Sequence, residues 1–340
     1  FDKVLSIIPN YTLALYHKGM LLSEMTRREE AIECFDKVLS INPNHVPALY
    51  NKGLVLSETN PHKAIDCFNM AIGINQDNIP ALYNKGLTCE SLERFDDAII
   101  CYDAVLRINP SHLPSLCHRG IILKKAGLSE LSMTSFDKVL SINPSYVLAL
   151  YHKGMLLSEM TRREEAIECF DKVLSIIPNY TLALYHKGML LSEMTRREEA
   201  IECFDKVLSI NPNHVPALYN KGLAMESLDL FEDALSCYNK IIENDVNYEN
   251  TLCQKGRLLS SIGRYNNAIE CFDKILLSNP LNTNALYYKS CAMLKDGRKE
   301  ESFNLLECMI SRDSRYKEVL RDEKDLDGFR IDKRFMRLVN

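Results

Sequence analysis

The sequence predicts an all-α fold, an α-solenoid of stacked helix-turn-helix hairpins, and three observations carry that reading. A glycine recurs every 34 residues, with one step of 33: Gly19, Gly53, Gly86, Gly120, Gly154, Gly188, Gly222 and Gly256, with Ser290 in the next slot. Around each glycine the register is kept. Leu stands four before it, as at Leu15, Leu49 and Leu82; Ala or Ser stands twelve after it (eleven in the short repeat), as at Ala31, Ala64 and Ser132; an aromatic residue follows four later, as at Phe35, Phe68 and Tyr102. Asn-Pro or Ile-Pro closes most units.

Each element has a local cause. Leu15, Gly19 and Leu22, then Ala31, Phe35, Val38 and Leu39, follow three- and four-residue spacing, the signature of two amphipathic helices. A helical glycine costs about 1 kcal/mol against alanine, so its recurrence needs a packing reason; without a Cβ it admits a close neighbour, expected near the recurring Ala. Thr26-x-x-Glu29 reads as a capping box opening the second helix. Pro43, Pro110, Pro144, Pro212 and Pro280 stop that helix, and Pro47, Pro80 and Pro216 suit the first turn of the next.

The expected organisation follows. Residues 1–11 are a second-helix remnant; residues 12–316 hold nine units (12–45, 46–78, 79–112, 113–146, 147–180, 181–214, 215–248, 249–282 and 283–316); residues 317–340 form a cap. Lys317–Leu326 and Asp332–Val339 are expected as capping helices, with Phe329, Phe335 and Leu338 packing inward. The opening letters recur at 170–179, so the chain is expected to start in mid-element, as a fragment of a longer array. One 28-residue string stands unchanged at 14–41, 149–176 and 183–210, and residues 1–54 are identical to 170–223. Packing alone tolerates Ile for Val, so this identity reads as recent duplication of a structural brick.

Composition narrows the function. Net charge is −5, with 41 basic and 46 acidic residues well mixed and no basic stripe, which argues against nucleic acid as the partner. No apolar run is long enough to span a membrane. Seven of the twelve cysteines occupy one repeat slot, just before the aromatic residue. Equivalent points on stacked helices lie roughly 8–10 Å apart, and a disulfide needs Cα atoms within about 7 Å, so neighbours in this row are not expected to pair. Many unpaired thiols fit a reducing, cytoplasmic setting. No phosphate-binding loop, zinc-protease helix, nucleophile elbow or C-x-x-C string occurs. His118, His152 and His186 stand in successive repeats, too far apart to converge on one zinc ion. The expectation is a non-catalytic protein with no metal and no cofactor.

The 34-residue Leu…Gly…Ala…Phe…Pro unit resembles the tetratricopeptide repeat over about 12–316. The departures are Ser132 and Ser302 for the small Ala, Gln76 and Val246 for the closing Pro, and Lys or Arg (Lys18, Lys52, Lys85, Arg119) before the glycine. The long stems of these cations can cover apolar surface while their charged ends reach water. The resemblance implies a right-handed superhelix whose first helices line a concave groove that binds peptides or partner proteins. Three first-helix slots fall outside the hairpin core. Three before the glycine stand Tyr16, Tyr50, Tyr83, Tyr151, Tyr185 and Tyr219; two before it His17, Asn51, Asn84, His118, His152, His186 and Asn220; one after it Met20, Leu54, Leu87, Met155 and Met189. Asn offers donor and acceptor together, so such a row can bond an extended backbone without reading its sequence. Asn51, Asn84 and Asn220 are similar to the asparagine ladder of the O-linked N-acetylglucosamine transferase superhelix. The slot six before the glycine, where chaperone-binding members carry a carboxylate clamp, holds only Leu and Pro from Leu13 to Pro216, which argues against such a clamp.

The expected function is a protein-interaction scaffold that binds an extended peptide or partner segment. The alternatives are a self-associating structural array and the regulatory arm of a larger enzyme.

Overall fold

In the computed structural model the described residues are 1–244, 249–312, 314–322, 326 and 332–339. Val246 and Phe329 fall outside them. Every regular element among the described residues is helical.

The chain divides into two compact units, Phe1–Ile176 and Ile177–Asn340. Unit 1 begins with the short helix α1 (Asp2–Ile7). Hairpins follow: α2 (Thr12–Glu24) with α3 (Arg28–Ile41), α4 (Val46–Thr59) with α5 (Pro61–Ile74), and α6 (Ile79–Ser91) with α7 (Phe95–Ile108). Then come α8 (Leu113–Lys125) with α9 (Ser129–Ile142) and α10 (Val147–Glu159) with α11 (Arg163–Ile176). Unit 2 holds α12 (Thr181–Glu193) with α13 (Arg197–Ile210) and α14 (Val215–Glu226) with α15 (Phe231–Asn244). It continues with α16 (Glu249–Ser261) and α17 (Tyr265–Ser278), α18 (Thr283–Lys295) and α19 (Lys299–Arg312), α20 (Tyr316–Asp322) and α21 (Lys333–Val339).

Within each unit a core is shared by a hairpin and the first helix of the next one. Leu15 and Leu22 of α2, Ala31, Phe35 and Val38 of α3, and Ala48 and Val55 of α4 form one such cluster. The repeating aromatic residue is its centre, and Phe35, Phe68, Tyr102, Phe136, Phe170, Phe204, Tyr238 and Phe272 are all fully buried. The glycine serves this ring rather than the recurring alanine. A Cβ at Gly53 would fall 2.6 Å from Phe68 Cε1, and one at Gly86 2.6 Å from Tyr102 Cε1. At the far end Leu320 of α20, Leu326 and Phe335 and Val339 of α21 are buried against Phe303, Leu306 and Met309 of α19.

The turn inside the hairpin differs from the expected capping box. Thr26 is left-handed, with φ +58°, and its N–H bonds Ser23 O at 3.0 Å while the Arg27 N–H bonds Leu22 O at 2.9 Å. Its hydroxyl donates to Met25 O instead of capping α3, and Arg27, the N-cap residue, makes no side-chain cap bond. The residue thus closes α2, in the manner of a C-terminal αL stop. The same slot is Glu93, Gly127, Thr161, Thr195, Asp229, Gly263 and Gly297, all with positive φ. In the repeat one residue shorter, Asn60 caps α5 by accepting from the Lys63 N–H at 3.2 Å. Between hairpins, the helices with Pro in their first turn are capped by His45, Asn78, His112 and His214 side chains, each accepting a backbone N–H three residues on.

In several repeats the cation before the glycine also has a different end point from open water. Lys52 reaches Asp36 at 2.5 Å, Arg119 reaches Asp103 at 2.7 Å, Lys153 reaches Asp137 at 2.6 Å and Lys221 reaches Asp205 at 2.6 Å. Each aspartate directly follows the aromatic residue of the preceding repeat, so every pair ties one hairpin to the next. Being half exposed, each contributes about 1 kcal/mol or less.

Candidate functional site

The expected groove residues lie on the first helices α2, α4, α6, α8, α10, α12 and α14, most of them half-buried. Helical periodicity sets two tasks for the tyrosine slot. Its ring packs inward on the aromatic residue of its own hairpin: Tyr16 on Phe35 at 6.2 Å between centroids, Tyr50 on Phe68 at 6.2 Å, Tyr151 on Phe170 at 6.0 Å and Tyr219 on Tyr238 at 6.0 Å. Its hydroxyl projects toward the next repeat. There Asn51 Nδ2 donates to Tyr16 Oη at 3.0 Å, Asn84 to Tyr50 at 3.1 Å and Asn220 to Tyr185 at 3.2 Å.

This geometry changes what the asparagine can offer. The second Nδ2 hydrogen of each is also used, by Pro47 O at 2.8 Å, Pro80 O at 2.9 Å and Pro216 O at 2.8 Å. Both amide donors are therefore spent inside the protein. What each rung retains is the asparagine Oδ1 as acceptor and the tyrosine O–H as donor. Burial raises the Tyr50 and Tyr185 hydroxyls above the ordinary tyrosine range, so the proton is held.

Histidine in the same slot behaves otherwise. His17 lies against Phe1 and Tyr16, and His186 sits edge-on to Tyr185. His152 stacks on Phe136 at 6.3 Å, and burial pushes it down to about 4, with Lys124, His118 and Lys125 acting in the same direction. It is a neutral ring at neutral pH. His118 sits 5.9 Å from Tyr83 and directs Nδ1 to Glu90 Oε2 at 3.1 Å. Burial pushes the Tyr83 hydroxyl up to about 12. Met20, Leu54, Leu87, Met155 and Met189 complete the face as half-buried apolar residues.

Sequence reasoning passed over an acid-centred arrangement. The Tyr102 hydroxyl donates to Glu90 at 3.1 Å, and the Tyr238 hydroxyl donates to Glu226 at 3.0 Å. Burial raises the Glu90 carboxyl, but hydrogen bonds from His118 and Tyr102 outweigh it and hold the group below its ordinary value. One repeat on, Gln254 Nε2 donates to Glu226 at 2.9 Å, in the place His118 takes at Glu90. The signal was available: tyrosine replaces phenylalanine at the core slot at 102 and 238, and those two repeats alone carry glutamate four after the glycine. Two slots also change in the last repeats. Asn250 and Asn284 replace Leu or Pro six before the glycine slot, and Arg257 replaces the apolar residue after it.

A family model described as tetratricopeptide repeat matches residues 79–112, and a second with the same description matches 13–45, 113–146, 147–180, 182–214 and 250–280. Together these spans cover more than half of the chain. Among curated proteins nothing matches. Solved structures share the fold. The C-terminal part of a TPR repeat-containing protein from Cytophaga hutchinsonii is 18% identical, with a TM-score of 0.62 over 70% of this chain and 98% of that one. A tetratricopeptide repeat protein from Parabacteroides merdae is 19% identical, with a TM-score of 0.55 over 71% and 95%. Pseudomonas aeruginosa pilF is 17% identical, with a TM-score of 0.53 over 62% and 96%.

Proposed function

The chain belongs to the tetratricopeptide repeat family, whose fold is that of protein-interaction scaffolds, and we propose that it is a non-catalytic scaffold holding an extended segment of a protein partner along its first-helix face. The observation that carries this reading is the rung chemistry. Tyr16–Asn51, Tyr50–Asn84 and Tyr185–Asn220 each leave one hydroxyl donor and one carbonyl acceptor side by side, recurring at the same slots. An extended peptide presents one N–H and one C=O per residue, and a surface with paired donors and acceptors meets both. The methionine and leucine slots beside the rungs supply apolar contact for side chains. The rungs are fixed by their own internal bonds, so little ordering is needed on binding. No helix among the described residues is long and apolar enough to cross a membrane.

The test is to use the chain as bait, wild type against a Tyr50→Phe/Asn51→Ala/Asn84→Ala variant, with cross-linking mass spectrometry on the captured material. Capture of segments cross-linked to the first helices should fall at least about tenfold, because each lost hydrogen bond is worth about 1 kcal/mol, while helicity stays close to wild type. Equal capture by both chains sinks the reading.

A further inference from the structure

The first-helix face of unit 2 departs from the chain's own repeat at several slots, and the departures meet in one cavity of about 570 Å³. Its lining includes Tyr219, Asn220, Asn250, Gln254, Arg257 and Tyr288. Six before the glycine slot, Asn250 and Asn284 stand where earlier repeats carry Leu or Pro. Three before it, Cys253 replaces the tyrosine and removes a phenol ring from the wall. One after it, Arg257 breaks an apolar row that runs from Met20 to Leu223.

Arg257 is the one charged residue lining this cavity. Its guanidinium lies 5.1 Å over the Tyr288 ring, which itself stacks on Phe272 at 6.1 Å. Nη1 donates to Gln254 Oε1 at 3.2 Å, and Gln254 is in turn anchored on Glu226. The side chain is thus seated from below and from one side, but only by neutral groups. Among the described residues no carboxylate lies within ion-pair distance of it, whereas Arg264 pairs with Glu232 and Arg298 with Asp296 in the same unit. Glu226 is taken up by Tyr238 and Gln254.

We propose that Arg257 is a specificity-determining residue of the groove, seating an aspartate or glutamate side chain of the bound segment in this cavity. The proposal rests on the groove reading above. A guanidinium presents five N–H donors in a planar fork matched to carboxylate, and four remain here. Asn250 and Asn284 bring amides to the same cavity. One cation among neutral amides suits a monoanion better than a doubly charged phosphate. The face continues on both sides, to Tyr185 of α12 and Tyr288 of α18, so the carboxylate belongs to a residue within a passing segment and not to a chain end. A cavity of this size holds an acidic side chain with its neighbours.

The experiment selects a random dodecamer display library on the whole 340-residue chain and on its Arg257→Met variant. Met is the residue at this slot in α2, α10 and α12, and position 257 is exposed, so the variant keeps its fold. Enriched peptides are then made with amidated C-termini, with the acidic residue intact or changed to its amide, and measured by fluorescence anisotropy. Asp or Glu should be enriched at one position on the wild type and lost on Arg257→Met. The acid-to-amide change should weaken wild-type binding at least tenfold and leave the variant unaffected, with Arg257→Lys in between. Enrichment without acid, or acid preference kept by Arg257→Met, overturns the assignment and leaves the groove standing. Acid dependence that disappears on amidation of the C-terminus also overturns it. Enrichment of no peptide on either chain overturns the groove reading and this one with it.

Discussion

Along α4 and α6 the slot two before the glycine is asparagine, which bridges to a tyrosine hydroxyl one repeat back, on α2 and α4. Along α14 and α16 the neighbouring slots hold Glu226, Gln254 and Arg257, and the bridge runs through a carboxylate that also receives the core tyrosine. The backbone is the same in both regions: a 13- or 14-residue first helix (12 in α14), a tight turn and a 14-residue second helix. The same scaffold therefore carries neutral asparagine–tyrosine rungs in one region and a charged, cavity-forming face in the other. The hairpin core fixes where a slot lies, and the residue one repeat away decides what the slot presents.

The largest expected effect tests whether the core really is common to both regions. Gly53→Val and Gly256→Val should each cost about 3 kcal/mol, because a branched side chain would be driven into a fully buried aromatic ring. Gly73 has open space around its Cβ position, and Gly73→Ala should gain about 1 kcal/mol from helix propensity. Urea midpoints check all three; unequal costs at 53 and 256 would break the equivalence.

Imidazole is a third use of the same slot, and its effect depends on pH. His152 is pushed down to about 4 when folded, chiefly by burial, against an ordinary 6.5. The unfolded chain then binds more protons between those values, so the stability from neutral His152 is whole above about pH 6.5 and is lost as pH falls toward 4. The loss is at most about 3 kcal/mol. In urea titrations at pH 7 and 4.5, His152→Gln should lose about 2 kcal/mol less than wild type. Parallel losses would show that the ring adds nothing.

A smaller effect converts one region toward the other. Glu226→Ser installs the residue found at that slot in α2 and α4, and leaves the buried Tyr238 hydroxyl without its acceptor, at a cost of about 2 kcal/mol. Adding Tyr238→Phe should recover most of it, since removing both partners of a buried hydrogen bond is nearly neutral. A double-mutant cycle reads the coupling directly; no recovery would mean that Glu226 matters only through Gln254.

The hairpins, the aromatic slot and the first-helix face were legible in the sequence because each repeats eight or nine times, and a 34-residue period leaves few alternatives. What was not legible depends on contacts between repeats. The asparagine amide was expected to face a ligand, and its donors are instead consumed by Tyr16 and Pro47, partners 35 and 4 residues away. The lysine before the glycine was expected to reach water, and it finds an aspartate 16 residues back. Spacing shows that two residues share a face, but which atoms they use depends on side-chain reach. The Tyr102–Glu90 pair could have been found by asking which substitutions occur together across the repeats.

Thr26-x-x-Glu29 misled for a related reason: the capping-box spacing was present, but the backbone needed a left-handed residue there. That slot also separates the duplicated copies from three of the diverged repeats. The duplicated copies carry Thr26, Thr161 and Thr195, a β-branched residue at φ near +60°, while diverged repeats carry Gly127, Gly263 and Gly297. A β-branched side chain in the left-handed region is strained by about 1–2 kcal/mol, part of which glycine gives back through its freer unfolded chain. Thr161→Gly should therefore stabilise by about 0.5–1 kcal/mol, and Gly263→Thr should destabilise by a similar amount. Because the three threonines lie in separate hairpins and share no partners, the triple Thr→Gly variant should gain close to the sum, about 2 kcal/mol. Thermal melts of the single and triple variants decide it. If Thr161→Gly were neutral or destabilising, the Thr161 side chain would be contributing something the turn needs, and the duplicated brick would owe its threonine to packing and not to descent from a single copied segment.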